Sequence, residues 1–167
     1  MFFLAILGIV TLVLRFIPHI PNFSPIIALA VLSGVITKGK NGFLIPLLIV
    51  IISDLILGIT DVSFFIWGTI LLISLFSRLL KRNIVYVCGY SLLASFFYFV
   101  VTNFGVWLMG WYSYSLWGLY NCYVRAIPFF RMQLFSTVIF SFIFYVAVEI
   151  VSVKGKKFDI SRVLYKK

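Results

Sequence analysis

Long apolar stretches separated by short polar segments make up most of this chain. Six such stretches occur, at Phe2–Ile17, Ser24–Thr37, Phe43–Ile59, Val62–Ser77, Ile84–Leu108 and Met132–Val153. A helix that spans a membrane needs about 17–25 mostly apolar residues, and most of these stretches reach or approach that length. The pattern therefore predicts an all-α, polytopic integral membrane protein with six transmembrane helices.

The composition favours the same class. Hydrophobic residues make up 63% of the 167 residues and charged residues only 11%, which is more apolar surface than a soluble domain can bury. No change of composition divides the chain before its basic end, so the sequence predicts a six-helix transmembrane domain over residues 1–153 and a short basic tail over residues 154–167. The first stretch lacks the charged start and the A-x-A-like cleavage site of a signal peptide, and we expect it to be retained.

The basic residues predict the orientation in the membrane. With both termini in the cytoplasm, the inner segments hold eleven of the fourteen Lys and Arg residues, and only Arg15, Arg125 and Arg131 lie outside. Cytoplasmic loops carry the excess of positive charge, so we expect a multi-pass protein of the inner or plasma membrane with a cytoplasmic C-terminus. The basic residues that give the chain its net charge of +10 then lie in loops next to anionic membrane lipid. No nucleic-acid partner is predicted, because no groove-reading motif accompanies the charge.

The second apolar stretch has two interpretations. Ser24–Thr37 contains fourteen residues, a length that also suits a re-entrant or partly buried helix. If this stretch does not span the membrane, the N-terminus moves to the outer side, Arg15 joins the inner set, and every later helix keeps its orientation.

Polar residues inside the apolar stretches lie near the predicted outer ends of the helices. Arg15 is near the outer end of the first span, Asp54 in the outer part of the third, and Asn103 near the outer end of the fifth. An ionised side chain within the bilayer costs at least about 2.5–3.5 kcal/mol, so we expect Arg15 and Asp54 to form a pair. Such a pair either clamps two helices or belongs to a ligand site, and the other polar positions nearby favour the site.

Three prolines in the segment Pro18–Pro25 break the chain between the first two helices, because proline lacks an amide donor and restricts the preceding residue. Ser24 is predicted to cap the second helix, with Pro25 at its first helical position. The start of this helix would favour a carboxylate or phosphate on the outer side. His19 and Asn22 are candidate ligand contacts in this segment, although a lone histidine between prolines is more often a packing residue.

The segment Thr102–Arg131 is rich in Trp and Tyr, and we predict a long external loop within it at Gly110–Ile127. Aromatic belts are common at membrane interfaces, but a belt does not explain Asn103 or the two arginines. Aromatic surfaces with a few placed hydrogen-bonding groups suit a flat, partly apolar small molecule.

The expected ligand is a small aromatic molecule with a carboxylate, a phosphate or a similar acceptor. Asn103 would orient it, and one or more of the three outer arginines would supply charge. The candidate ligand-binding residues are Arg15, His19, Asn22, Asp54, Asn103, Trp107, Tyr112, Tyr114, Arg125 and Arg131.

These features resemble a known class of transporter subunit. Six short helices with a ligand-facing outer half are similar to the substrate-binding S component of energy-coupling-factor (ECF) vitamin transporters. A closer likeness, over residues 15–145, is to an uncharacterised bacterial membrane-protein family of S-component type. The motifs that carry it are Arg15–Pro25, Ser53-Asp54, Thr102–Trp107 and Ala126–Phe130. The resemblance implies an outward-opening cavity for a vitamin- or nucleobase-like molecule and a partner membrane subunit driven by paired ATPases.

The chain departs from the S-component pattern in one respect. S components commonly carry an Ala-x-x-x-Ala patch on the first helix for docking on the partner, whereas here this helix offers only Ala5 and Gly8. The nearest pattern of this kind is Ala30–Gly34 on the second span, where such spacing also suits internal packing.

Two other functional classes are open. An intramembrane enzyme could use Asp54, His19 and Asp61 for acid–base chemistry, but the sequence contains no H-E-x-x-H, G-x-S-x-G or phosphate-loop motif. Cys88 and Cys122 lack the spacing of a zinc or redox site. We therefore predict neither an enzyme nor a metal or cofactor. A structural or assembly subunit is the other alternative, in which the polar residues only set the helix register.

The predicted orientation can be tested by cysteine labelling of intact cells. In a background of Cys88→Ser and Cys122→Ser, a cysteine that replaces Ser113 should react with a membrane-impermeant maleimide. A cysteine that replaces Lys156 should react only after the cells are permeabilised, because the tail is expected in the cytoplasm. The reverse labelling pattern would overturn the orientation.

Overall fold

The computed structural model describes residues 2–17, 21–37 and 41–164, and the side chains up to residue 152. These residues form six α-helices and one short 3₁₀ turn. The elements are α1 (Phe2–Phe16), α2 (Ile26–Thr37), the 3₁₀ turn (Asn41–Leu44), α3 (Ile45–Leu57), α4 (Ser63–Ser77), α5 (Ile84–Leu108) and α6 (Leu116–Leu164). The all-α class predicted from the apolar stretches is confirmed.

The short helix α2 lies at the centre of the bundle. Eleven of its 12 residues are buried, and it contacts each of the other five helices. A helix that is apolar on all sides is expected to be buried on all sides. At 1.5 Å per residue it is about 18 Å long, which is shorter than the hydrocarbon core of a bilayer. The second apolar stretch is therefore a core helix enclosed by its neighbours.

Small residues allow α2 to approach α4 closely. A Cβ atom on Gly34 would overlap the hydroxyl of Ser77 and the backbone carbonyl of Ser74. Ala30 is fully buried in the same helix. The Ala30–Gly34 pattern thus serves internal packing and is not exposed for a docking partner. On α1, Gly8 is also buried, against α3.

Buried hydroxyl groups and an apolar exterior distinguish the bundle from most water-soluble ones. Hydroxyl groups lie at buried helix contacts, such as the 2.7 Å hydrogen bond between Ser91 of α5 and Ser141 of α6. Large apolar side chains cover the outside: Phe64, Leu93 and Phe135 are 70%, 66% and 68% exposed. Such an exterior suits a lipid solvent, in which close helix contacts depend on small and hydroxyl-bearing residues.

Within the described residues, two helical segments are long and apolar enough to cross a membrane. These are Ile84–Leu108, which is all of α5, and Leu116–Ser152 of α6. The other described α-helices are apolar but shorter.

The last helix begins earlier than predicted. The predicted extent of the loop, Gly110–Ile127, is wrong, because α6 begins at Leu116 and not at the predicted Met132. Only residues 109–115 connect it to α5. The helix continues to Leu164, so most of the predicted basic tail has a helical backbone, and Tyr165–Lys167 lie outside the described residues.

Local interactions explain this early start. Ser115 acts as the N-cap: its carbonyl accepts from the amide of Leu119, and its hydroxyl accepts from the amide of Gly118 at 3.0 Å. Pro128 lies inside α6 without ending it. Proline removes one backbone hydrogen bond, and α6 remains helical on both sides of it while it packs along α5.

The close contact between α2 and α4 predicts a difference between two glycines. Gly34→Ala should lower the unfolding temperature, because overpacking a tight core contact costs about 1–3 kcal/mol. Gly68→Ala on α4 is the matched control, since its added Cβ would meet no atom within 4 Å. Thermal unfolding of both variants in one detergent tests this. Equal unfolding temperatures would show that the contact is looser than described.

Candidate functional site

Three adjoining cavities lie where the ends of several helices meet. The Arg15 cavity, of about 280 Å³, is lined by polar groups of Arg15, Asn22, Ser24, Tyr98 and Gln133. The Thr102 cavity, of about 260 Å³, shares with it Asn22, Ile66, Tyr98 and Gln133. The Arg125 cavity, of about 540 Å³, shares with the second Asn103, Val106, Ala126 and Phe129.

Arg15 and Asp54 form the ion pair that the sequence predicted. The Arg15 Nη2 atom lies 2.7 Å from Asp54 Oδ1, and the side chains are only 18% and 9% exposed. The other carboxylate oxygen accepts a 2.8 Å hydrogen bond from Trp67 Nε1. Sequence reasoning missed Trp67, although an indole N–H in the middle of an apolar helix requires an acceptor. Both oxygens of Asp54 are therefore engaged, and its charge balances that of Arg15.

Two buried polar atoms at the Arg15 cavity have no hydrogen-bond partner among the described residues. They are Arg15 Nε and Ser24 Oγ. The predicted capping role of Ser24 is wrong, because α2 begins after Pro25, whose carbonyl accepts from the amide of Leu29 at 2.9 Å. Leaving a buried polar atom unpaired costs about 1–3 kcal/mol. Such atoms call for an explanation, and a ligand in the cavity that Arg15 and Ser24 line would supply one.

Asn22 lies in the turn before α2 and lines both the Arg15 and Thr102 cavities. Its φ of 62° is left-handed, a conformation that asparagine tolerates better than most residues. The hydroxyl of Ser136 on α6 lies 3.5 Å and 3.4 Å from the carbonyl oxygens of Asn22 and Ser24. The predicted contact His19 lies outside the described residues.

Gln133 is a further polar group at the Arg15 and Thr102 cavities. Its Nε2 donates to the backbone carbonyl of Ser95 at 2.8 Å and to the Ser95 hydroxyl at 3.0 Å, which orients the amide. Sequence reasoning missed this residue and Tyr98, which lines the same two cavities. The signal for Gln133 was present, since it is the sole carboxamide in the predicted span Met132–Val153.

Asn103 lies at the junction of the Thr102 and Arg125 cavities, as expected of an orienting residue. Its Nδ2 donates to the carbonyl of Phe99 at 2.8 Å, which holds the side chain against its own helix. Gly105, on the same helix, has a packing role, because a Cβ atom there would overlap the ring of Phe65.

The aromatic candidates separate into two groups. Tyr112 lines the Arg125 cavity. Trp107 and Tyr114 line none of the three cavities and pack on each other, with ring centroids 5.9 Å apart. Trp107 Nε1 donates to the carbonyl of Ser113, and the Tyr114 hydroxyl donates to that of Leu108. These two side chains therefore stabilise the connection between α5 and α6.

The two arginines of α6 face different surroundings. Arg125 is exposed, lines the Arg125 cavity and forms no ion pair with the described residues. Arg131 is exposed and lines none of the three cavities. It is two residues from Gln133, a rotation of about 200° at 3.6 residues per turn, so it lies on the opposite face of the helix.

The fold and these cavities define an all-helical protein with an apolar exterior and a polar, partly buried set of cavities. The chain matches a family described as "Family of unknown function (DUF6580)" over residues 1–159, and it belongs to that family. No curated protein and no solved structure matches the sequence.

The buried ion pair predicts strong coupling between its two members. Arg15→Leu or Asp54→Leu alone should destabilise the fold by about 3–5 kcal/mol, because each leaves an unpaired buried charge. The double variant should cost much less than the sum of the two. Thermal unfolding of the three variants provides the measurement.

The pair Arg82–Glu149 is the matched control, because both side chains are 38% exposed and the atoms are 2.8 Å apart. An exposed pair contributes only about 0–1 kcal/mol, so its leucine variants should be nearly additive. Strict additivity at Arg15 and Asp54 would show that these two charges do not support each other.

Proposed function

We propose that this protein is a polytopic membrane protein of six helices that binds a small aromatic or anionic molecule in an outward-facing site and serves its uptake. The observation that carries the proposal is that Arg15 and Ser24, which line a cavity, each have a buried polar atom without a partner among the described residues, Arg15 Nε and Ser24 Oγ. Polar atoms that no protein group satisfies are expected where a ligand supplies the missing hydrogen bonds.

The apolar exterior and the distribution of charge support the membrane part of the proposal. The exposed surfaces of the helices carry large apolar side chains, and hydroxyl groups lie between helices. Eleven of the fourteen basic residues belong to the predicted cytoplasmic side. Arg15 and Asp54 lie near the C-terminal ends of α1 and α3, so with this orientation the cavities open to the outside.

A purely structural role accounts for less of the site. A clamp between α1 and α3 needs the Arg15–Asp54 pair and the hydrogen bond from Trp67. It does not need the unpartnered hydroxyl of Ser24, nor a cavity lined by Gln133. These features favour ligand binding over a clamp alone.

Coupling to an energising membrane subunit with ATPases is the part of the proposal that depends on the resemblance to S components. Since the Ala30–Gly34 pattern is enclosed, docking would use a different surface. The outward face of α1, with Ala5, Ile9 and Val13 exposed, is the available one on the first helix.

The binding proposal predicts that one substitution lowers ligand retention without lowering the thermal stability of the empty protein. Ser24→Ala should leave the unfolding temperature of the empty protein unchanged or raised, since the hydroxyl makes no bond in the described structure. The same variant should retain less small molecule after gentle purification. Mass spectrometry of co-purified compounds, with thermal unfolding, measures both.

Thr137→Val is the matched control. The Thr137 hydroxyl is also buried without a partner in the described part of the chain, but Thr137 lines none of the three cavities. This variant should keep the full amount of co-purified molecule. If the parent protein is empty from several hosts, or if both variants retain the molecule equally, the Arg15 cavity is not the binding site.

A further inference from the structure

We infer that the three cavities form one elongated site whose ligand carries a neutral hydrogen-bond acceptor at its buried end and an anionic group at its exposed end. This inference rests on the proposed binding function and specifies the class of molecule. The two ends differ in burial and charge, and an aromatic passage connects them.

The buried end is electrically neutral. Asp54 accepts from Arg15 at 2.7 Å and from Trp67 at 2.8 Å, so the charge of Arg15 is already balanced. The other polar residues that line the Arg15 cavity are uncharged: Asn22, Ser24, Tyr98 and Gln133. An anionic group here would compete with Asp54 for the guanidinium and add an unbalanced charge beside the Arg15–Asp54 pair.

A neutral acceptor fits the groups that lack partners. Arg15 Nε carries an N–H donor and Ser24 Oγ carries an O–H donor, and both atoms are buried without partners among the described residues. A neutral acceptor such as a carbonyl oxygen suits donors of this kind, because it accepts hydrogen bonds without adding charge. Arg15 therefore supplies a hydrogen bond rather than the net charge that the sequence suggested.

The exposed end is positively charged. Arg125 lines the outer cavity, forms no ion pair with the described residues, and shares this lining with Asn103 and Tyr112. The residues that line this cavity include no acidic side chain. A guanidinium presents a planar fork of donors that suits a carboxylate or phosphate, and Arg125 is thus the charged contact for the ligand.

Aromatic walls connect the two ends. Phe99, Phe129 and Phe130 line the Thr102 cavity, and the rings of Phe99 and Phe130 have centroids 4.6 Å apart. Such walls suit a flat aromatic or apolar middle part of the ligand.

Helical spacing sets the length of the ligand. Arg125, Phe129 and Gln133 succeed each other at intervals of four on α6, so they share one face of that helix. The rise over eight residues is about 12 Å. Tyr98, Thr102 and Val106 follow the same spacing on α5 and line the same passage. A ligand that reaches from Gln133 to Arg125 thus needs about the length of two linked aromatic rings.

Biphenyl probes with different end groups test this inference on the purified full-length protein. The first carries an acetamide at one end and a carboxylate at the other, the second carries carboxylates at both ends, and the third carries acetamides at both ends. Thermal stabilisation should be largest with the first probe, because only it matches both ends. A single-ring probe with the same two end groups should bind more weakly, since it does not reach from end to end.

Two substitutions assign the ends. Arg125→Gln should lower the affinity for the acetamide–carboxylate probe by roughly tenfold or more, because a charge-assisted contact is lost. The affinity for the diacetamide probe should stay unchanged. Arg131→Gln is the matched control and should leave both affinities unchanged. Ser24→Ala should lower the affinity for the acetamide–carboxylate probe and for the diacetamide probe by the same factor.

Other outcomes overturn the inference. A preference for the dicarboxylate probe would place an anion at the buried end. An equal loss in the Arg125→Gln and Arg131→Gln variants would remove the specific role of Arg125. Stabilisation by none of the probes would reject this ligand class, whereas Ser24-dependent retention of a co-purified molecule would still support the proposed binding function.

Discussion

The enclosure of a short helix by five longer neighbours is the constraint on which the site depends. α2 has 12 residues, almost all buried, and is about 18 Å long. Ile26 and Ile27, at its first residues, line the Arg15 cavity. Because α2 begins only at Ile26 while α5 and α6 continue past that end, none of the described helices fills the space next to its first turn. The turn that contains Asn22 and Ser24 covers only part of this space, and the cavities occupy the remainder.

Charge balance gives this space its chemical character. The charges of Arg15 and Asp54 cancel within the bundle, and Trp67 satisfies the second carboxylate oxygen. The buried end consequently offers hydrogen-bond donors without net charge, whereas Arg125 at the exposed end has a charge that the described residues do not balance. At the buried end, a donor that the ligand leaves without a hydrogen bond costs binding free energy. At the exposed end, the contact between the ligand and Arg125 is electrostatic.

Some of the site could be predicted from residue type and position alone. Arg15 and Asp54 stood out because isolated charges in apolar segments require a partner, and they do meet. The start of α6 was predicted wrongly because aromatic residues that suit an interface also suit a helix, and the capping signal of Ser115 is short and local. Trp67 and Gln133 were missed because a single polar group in an apolar run does not indicate which neighbour it will meet.

By itself, the sequence determined the helical class and the uneven distribution of charge, since apolar run length and basic residues are properties of local segments. The tertiary structure decided which side of each helix turns inward. It brought Arg125 and Tyr112 to the cavities and turned Arg131 and Trp107 away from them, although all four belong to one aromatic-rich segment. The physical reason is that helix rotation depends on contacts between residues far apart in the chain, which neighbouring residues do not encode.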